Sequence, residues 1–169
     1  MMTIRTALAA DAPRIAEIKV AGWRTAYCGL MPDDVLASLS VDEQAVQWRQ
    51  RLIEHPGRVL VAEVGQQVVG YLSAAASRDA DPVDPAIGEI YALYVHPDHW
   101  RAGVGSALMT AALDTLRRQQ FSRVALWVLA NNDPAIRFYQ AHGFQADGRD
   151  KLEPRGNATL HEIAMARTL

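Results

Sequence analysis

Val95-His96-Pro97-Asp98-His99-Trp100-Arg101-Ala102-Gly103-Val104-Gly105-Ser106 is the stretch on which the fold turns. The apolar run that enters it, Ile87 to His96, reads as a strand. The run that leaves it, Gly103 to Gln119, places Val104, Ala107, Leu108, Ala111 and Thr115 at helical spacing and predicts a helix with that face buried. A strand therefore feeds a glycine-bearing loop that opens a helix. The first turn of a helix carries unpaired N–H groups and the positive end of the dipole, so it holds anions. Gly103 and Gly105 have no Cβ and admit a phosphate close to the backbone. Arg101 adds a forked cationic donor at the mouth. An ordinary strand-to-helix turn explains the same residues, so the loop alone leaves both readings open. A P-loop is disfavoured, because Ser106 and Ala107 follow Gly105 with no lysine. A dinucleotide fingerprint is disfavoured because Leu108 stands where a third glycine belongs and the loop lies far from the first strand.

Downstream, Arg123 to Ala130 is a continuous apolar run, as expected of a strand buried on both faces. Asn131-Asn132-Asp133-Pro134-Ala135-Ile136-Arg137-Phe138-Tyr139-Gln140-Ala141-His142-Gly143-Phe144 follows. It predicts a short helix over Pro134 to His142, ended by Gly143, with Ala135, Phe138, Tyr139 and His142 on one face. Taken alone, Tyr139 fits a core tyrosine equally well. Phe144 to about Leu152 and Ala158 to Arg167 predict a closing antiparallel pair.

Upstream, Thr3 to Leu8 reads as a first strand. Asp11 is the expected cap of a helix reaching about Tyr27, with Pro13 in its first turn and Ile15, Ile18 and Gly22 or Trp23 on one face. Met31 to Leu39 holds a short helical piece. Ser40-Val41-Asp42-Glu43 is a capping box that starts a helix ending at His55-Pro56-Gly57. Strands over Arg58–Val64 and Val68–Ser77 are joined by Gly65-Gln66-Gln67 as a tight hairpin. Arg78 to Ala86 reads as an irregular acidic loop. Its Asp79, Asp81 and Asp84 lack the terminal glutamate of a calcium loop, and Pro82 and Pro85 interrupt it. This alternation predicts a mixed sheet with helices on its faces.

The 169 residues match one domain, half of them apolar and 21% charged, so disorder is excluded as the dominant state. A net charge of −2 argues against nucleic acid as partner. One cysteine, Cys28, rules out an internal disulfide and is expected to be a buried filler. No apolar run approaches ~18 residues, so no membrane span is expected. The N-terminus lacks a signal-peptide core, which points to the cytoplasm. His96 and His99 have no further ligands at metal-site spacing, so no metal is expected.

Together the two glycine-containing stretches resemble the GCN5-related N-acetyltransferase (GNAT) superfamily. Its motif A reads Q/R-x-x-G-x-G/A after a strand ending in V-x-P, matched by Val95-His96-Pro97 and Gly103-Val104-Gly105. Its motif B reads N-x-x-A-x-x-x-Y-x-x-x-G-F, matched by Asn132, Ala135, Tyr139, Gly143 and Phe144. The likeness spans nearly the whole chain, from Thr3 to Arg167. One position departs: Trp100 stands at the Q/R site, with Arg101 just after it.

The resemblance implies an α/β (α+β mixed) fold, one domain over 1–169. Its sheet is twisted, mostly antiparallel, six- to seven-stranded, flanked by about four helices and splayed between strands 4 and 5. It implies acetyl-CoA as acetyl donor, with pyrophosphate on the N–H groups of Arg101, Ala102, Gly103, Val104, Gly105 and Ser106. The pantetheine arm would pair with Leu93, Tyr94 and Val95 like an added strand, with Asn132, Ala135 and Phe138 on its other side. Tyr139 matches the family's general acid, protonated at neutral pH as an acid must be. Glu89, with Tyr91 and Leu93 on its face at period two, is the candidate base acting through water, or else a substrate anchor or solvated strand-end carboxylate. Trp23, Tyr27 and Met31, with Glu89 and Tyr91, are the candidate acceptor pocket, or simply pack on the sheet. The implied activity is transfer of acetyl to the primary amine of a small or amino-acid-like acceptor. Acetylation of a protein N-terminus or lysine, an O-acceptor, and a non-catalytic acyl-CoA sensor are the alternatives. Many members are dimers, so a homodimer is admitted.

Overall fold

A computed structural model describes residues 1–79 and 86–169. The strand that enters the glycine loop, β4 (Ile87–Val95), lies mid-sheet. On its antiparallel side run β3 (Gln67–Ala76), β2 (Val59–Val64) and β1 (Met2–Thr6); on its parallel side lies β5 (Arg123–Leu129), followed by β7 (Ala158–Thr168) and β6 (Gln145–Arg155). Every neighbouring pair is antiparallel except β4–β5. That parallel pair holds only from Ile87 opposite Arg123 to Ile90 opposite Leu126. Beyond Ile90 the two strands diverge, which is the expected splay.

Five helices are found among the described residues: α1 (Ala12–Ala26), α2 (Asp33–Ala37), α3 (Val41–Glu54), α4 (Val104–Arg118) and α5 (Asp133–Ala141). The count exceeds about four because α2 is a five-residue turn. The side chains of α4, and part of α5, pack with Leu72, Ile90, Leu126 and Met165 on one face of the sheet. On the other, α1 and α3 pack over Val59, Val61, Val68 and Tyr71. A third cluster ties Met31 and Leu36 to Leu129 and Leu160.

Several local expectations are corrected. Asp11 does not cap α1 with its side chain; its carboxylate turns back to accept the Leu8 N–H at 2.7 Å and the Arg5 guanidinium at 2.8 Å. The buried stripe of α4 is Val104, Leu108, Met109, Ala112, Leu113 and Leu116; Ala107, Ala111 and Thr115 sit at its margin. Met109, Leu113 and Leu116 bring more apolar area to the core than the smaller Ala107, Ala111 and Thr115. The hairpin loop is Gly65-Gln66 alone, both at positive φ, with Gln67 already paired to Val64. Cys28 is exposed, not buried. Ser40 does cap α3, accepting the Glu43 N–H at 3.3 Å. Of the acidic loop, Asp81, Pro82, Asp84 and Pro85 lie outside the described residues.

Leu108 is fully buried at the centre of α4. Leu108→Ala is expected to remove ~2–5 kcal/mol of stability. Urea unfolding should show a lower midpoint at an unchanged slope.

Candidate active site

Where β4 leaves β5, a cleft of about 1040 Å³ opens. One wall is the glycine loop. Gly103 is the N-cap of α4 with φ +79, and a Cβ built on it would meet nothing within 4 Å. The first helical bond runs from the Ala107 N–H to the Gly103 carbonyl at 3.0 Å. The N–H groups before Ala107 thus sit in the unpaired first turn and face open space beside Gly103. This fits an anion on the backbone. Arg101, Gly103, Val104, Gly105 and Ser106 line the cleft; Ala102 is exposed and does not.

Trp100, the departure from the motif, folds back so that its indole N–H donates to the Val95 carbonyl at 2.7 Å. It closes the end of β4 and uses one acceptor on the strand edge expected to receive a ligand arm. The remaining edge is free of strand pairing beyond Ile90, and Leu93, Tyr94 and Val95 all line the cleft.

The opposite wall is α5. Asn132 caps it, its side-chain oxygen accepting the Ala135 N–H at 3.4 Å. Phe138 lies 3.4 Å from where a Cβ on Gly105 would stand, so the glycine lets α5 close on α4. Ser106 and His142 join the same two helices at 3.1 Å. Asn132, Ala135, Phe138 and Tyr139 line the cleft. Burial pushes the Tyr139 phenol well above its ordinary range, and the nearby Tyr27 adds to the effect. Among the described residues no group hydrogen-bonds its hydroxyl, which leaves it a protonated, unengaged donor at the junction of the two walls.

The floor departs from simple alternation. Ser73 pairs with Ala92 and Ala74 with Ile90, so Tyr91 opposes no residue on β3. This bulge breaks the period of two. Leu93 packs in the α4-side cluster with Ile90, whereas Ala92 and Tyr94 face the α1 side. Leu93 therefore does not share the face of Glu89, contrary to the spacing argument. Glu89 is buried at 1% exposure and accepts three bonds from Arg78. These come from its backbone N–H at 3.0 Å, Nε at 2.9 Å and Nη2. The same guanidinium lies 4.3 Å from the Tyr91 ring centre, and the Tyr91 hydroxyl donates to the Ala76 carbonyl. Arg78 was missed from sequence; its signal was its place just after β3, opposite the start of β4.

The acceptor side is aromatic. Trp23 meets Tyr27 edge-on at 5.3 Å, and the Tyr27 and Tyr94 hydroxyls bond at 3.0 Å. Trp23 and Tyr27 both pack on the sheet and line the cleft, and Met31 joins them there. Trp127 and Lys151 were also missed: the indole N–H donates to Asp79 at 2.7 Å, and the Lys151 ammonium sits 4.3 Å over the ring. Trp127 was visible as the one aromatic in an aliphatic strand.

A strand that parts from its parallel neighbour beside a helix N-terminus is the architecture the motifs implied, and comparison bears on it directly. The acetyltransferase (GNAT) family profile matches residues 23–144. The chain belongs to the GNAT family. It is 32% identical over 165 residues to YuaI of Bacillus subtilis, an uncharacterized N-acetyltransferase, spanning 98% of this chain and 92% of that one. It is 43% identical over 76 residues to the mycothiol acetyltransferase of Acidothermus cellulolyticus, spanning 45% of this chain but 23% of that protein. The structure of YncA from Salmonella typhimurium with acetyl-CoA superposes with a TM-score of 0.74 at 25% identity, covering 99% of this chain and 94% of that one. As a GNAT acetyltransferase the chain is an acyltransferase, and acetyl-CoA as donor fits the family. No helix among the described residues is long and apolar enough to cross a membrane.

Proposed function

We propose that this GNAT enzyme transfers the acetyl group of acetyl-CoA to the primary amine of a small, amino-acid-like molecule by direct attack on the thioester. The observation that carries the reading is Tyr139, a half-buried phenol with an unengaged hydroxyl, set between the open glycine loop and the aromatic pocket. The bound donor supplies an activated acetyl carbon. The N–H groups of the 101–106 loop hold its pyrophosphate, and the free edge of β4 aligns its arm. Trp23, Tyr27 and Met31 orient the acceptor. As the nitrogen–carbon bond forms and the carbon–sulfur bond breaks, Tyr139 donates its proton to the departing sulfur. The proton lost by the nitrogen returns to Tyr139 through water.

The three bonds from Arg78 engage both carboxylate oxygens of Glu89 and hold the group in place. This supports Glu89 as an electrostatic anchor for the incoming amine and as the residue that positions Arg78. A small acceptor is favoured over a polypeptide because Trp23, Tyr27 and Met31, packed together, line this part of the cleft.

Acetyl-CoA at ~100 times its dissociation constant should add ~2.7 kcal/mol, a midpoint rise of roughly 5–10 °C in a thermal melt. ATP and NADH should give none. A melt unmoved by acetyl-CoA would remove this function.

A further inference from the structure

The acceptor end of the cleft carries a positive cluster that the reaction does not use. Lys19 of α1, Arg51 of α3 and Arg155 at the end of β6 all line it. Lys19 is half-buried, its ammonium donating to Gln44 Oε1 at 2.9 Å and lying 5.1 Å over the Trp23 ring. The Arg51 guanidinium rests 5.2 Å from the Trp48 ring. Among the described residues no carboxylate comes within 4.0 Å of Lys19 or Arg51. The nearby carboxylates are engaged inside the β6–β7 hairpin, Glu153 with Arg155 and Glu162 with Lys151, each at 3.6 Å. Burial first, then the charges of Arg51 and Arg155, pulls the Lys19 ammonium down to about 8. Three cations from three separate elements are thus held together, and two of them lack a counter-charge.

We propose that Lys19, Arg51 and Arg155 bind an anionic group, carboxylate or phosphate, at the far end of the acceptor amine. The inference rests on the amine-acetylation reading above and narrows its substrate class. The cluster does not serve the donor's phosphates: it stands on the α1–α3 face, whereas the glycine loop opens α4 on the other face of the sheet. Its spacing sets the ligand's shape. Lys19 precedes Tyr27 by eight residues, a rise of about 12 Å along α1, and Tyr27 lies beside Tyr94 and near Tyr139. Toward Tyr27 the carboxylates Glu89 and Glu162 each have a cation of their own, Arg78 and Lys151, whereas Lys19 and Arg51 at the other end have no carboxylate within 4.0 Å among the described residues. A molecule with an amine at one end and an anion roughly 10 Å away matches that spacing.

The test uses acceptors of one length that differ only at the far end: 6-aminohexanoate, 6-aminohexyl phosphate, hexylamine and 1,6-diaminohexane. Acetylation is read as free-thiol release, and binding of each acceptor to the protein is read by calorimetry without donor. The anion-ended acceptors are expected to exceed hexylamine at least tenfold in kcat/KM and in affinity, with the diamine weakest; the better of the two anions identifies the group. Lys19→Met and Arg51→Gln should collapse that preference toward one, and circular dichroism and a melt check that both are folded. Equal or better use of hexylamine or the diamine overturns the proposal. So does a Lys19→Met variant that loses acetyl-CoA affinity and keeps the preference. Calorimetric preference for the anion without acetyl transfer upholds the subsite and instead sinks the catalytic reading.

Discussion

Tyr139→Phe is expected to lower turnover by ~10²–10⁴, about 3–5 kcal/mol of barrier. The size follows from where the hydroxyl stands. A leaving thiolate needs a proton at the moment the carbon–sulfur bond breaks, and the phenol is the one donor that α5 delivers to the junction of loop and pocket. Burial raises its pKa, so it stays protonated through neutral and mildly alkaline pH. The parent enzyme should therefore show no loss of rate from Tyr139 ionisation below about pH 10. Phenylalanine fits the same space, and the hydroxyl it removes makes no hydrogen bond to the described residues, so the melt should move little. Single-turnover thiol release separates the chemical step from product release. Turnover and a pH profile identical to the parent's would show that Tyr139 is not the acid.

Gly103→Val is expected to weaken acetyl-CoA binding by ~100-fold or more, about 2.7 kcal/mol. Two effects combine. A β-branched residue at φ +79 carries backbone strain of ~1–2 kcal/mol. Its methyl groups also enter the open space where a phosphate would meet the first-turn N–H groups. Gly57 supplies the control, because it too has a positive φ of +86 and nothing within 4 Å of a Cβ, but it does not line the cleft. Gly57→Val should lower the melting midpoint comparably and leave acetyl-CoA affinity alone. If the two variants bind acetyl-CoA equally tightly, the anion site lies elsewhere than the 101–106 loop.

What could be read in the sequence was local in origin. Ser40 and Glu43 announce α3 because the cap, Ser40 accepting the Glu43 N–H, forms within four residues. Gly103 and Gly143 mark a helix start and a helix end because only the local backbone decides their sign of φ. The two motifs located both walls of the cleft and placed Tyr139 between them. What could not be read arises between elements. The bulge at Tyr91 depends on how β3 meets β4, so the period-two argument put Leu93 on the wrong face. Asp11 had two uses for its carboxylate, and the Arg5 guanidinium, which also pairs with Glu63 of β2, outcompeted the helix end. The grip of Arg78 on Glu89 spans a loop, and the meeting of Lys19, Arg51 and Arg155 joins three elements far apart in the chain. Neither leaves a periodic trace. The α4 face was misjudged because alanine and threonine satisfy helical spacing without the bulk that claims a core.

The brief contact between β4 and β5 has a consequence for the lifetime of the protein. Among the described residues, four residue pairs are the only ladder between the β1–β4 half of the sheet and the β5–β7 half. Such a seam is where the chain would part first, exposing apolar segments to proteases before either half loses its own strands. A donor bonded to β4 on one side and packed on α5 on the other would lie across that seam as a rivet. Occupied by its donor, the protein should then resist limited proteolysis longer than it does empty.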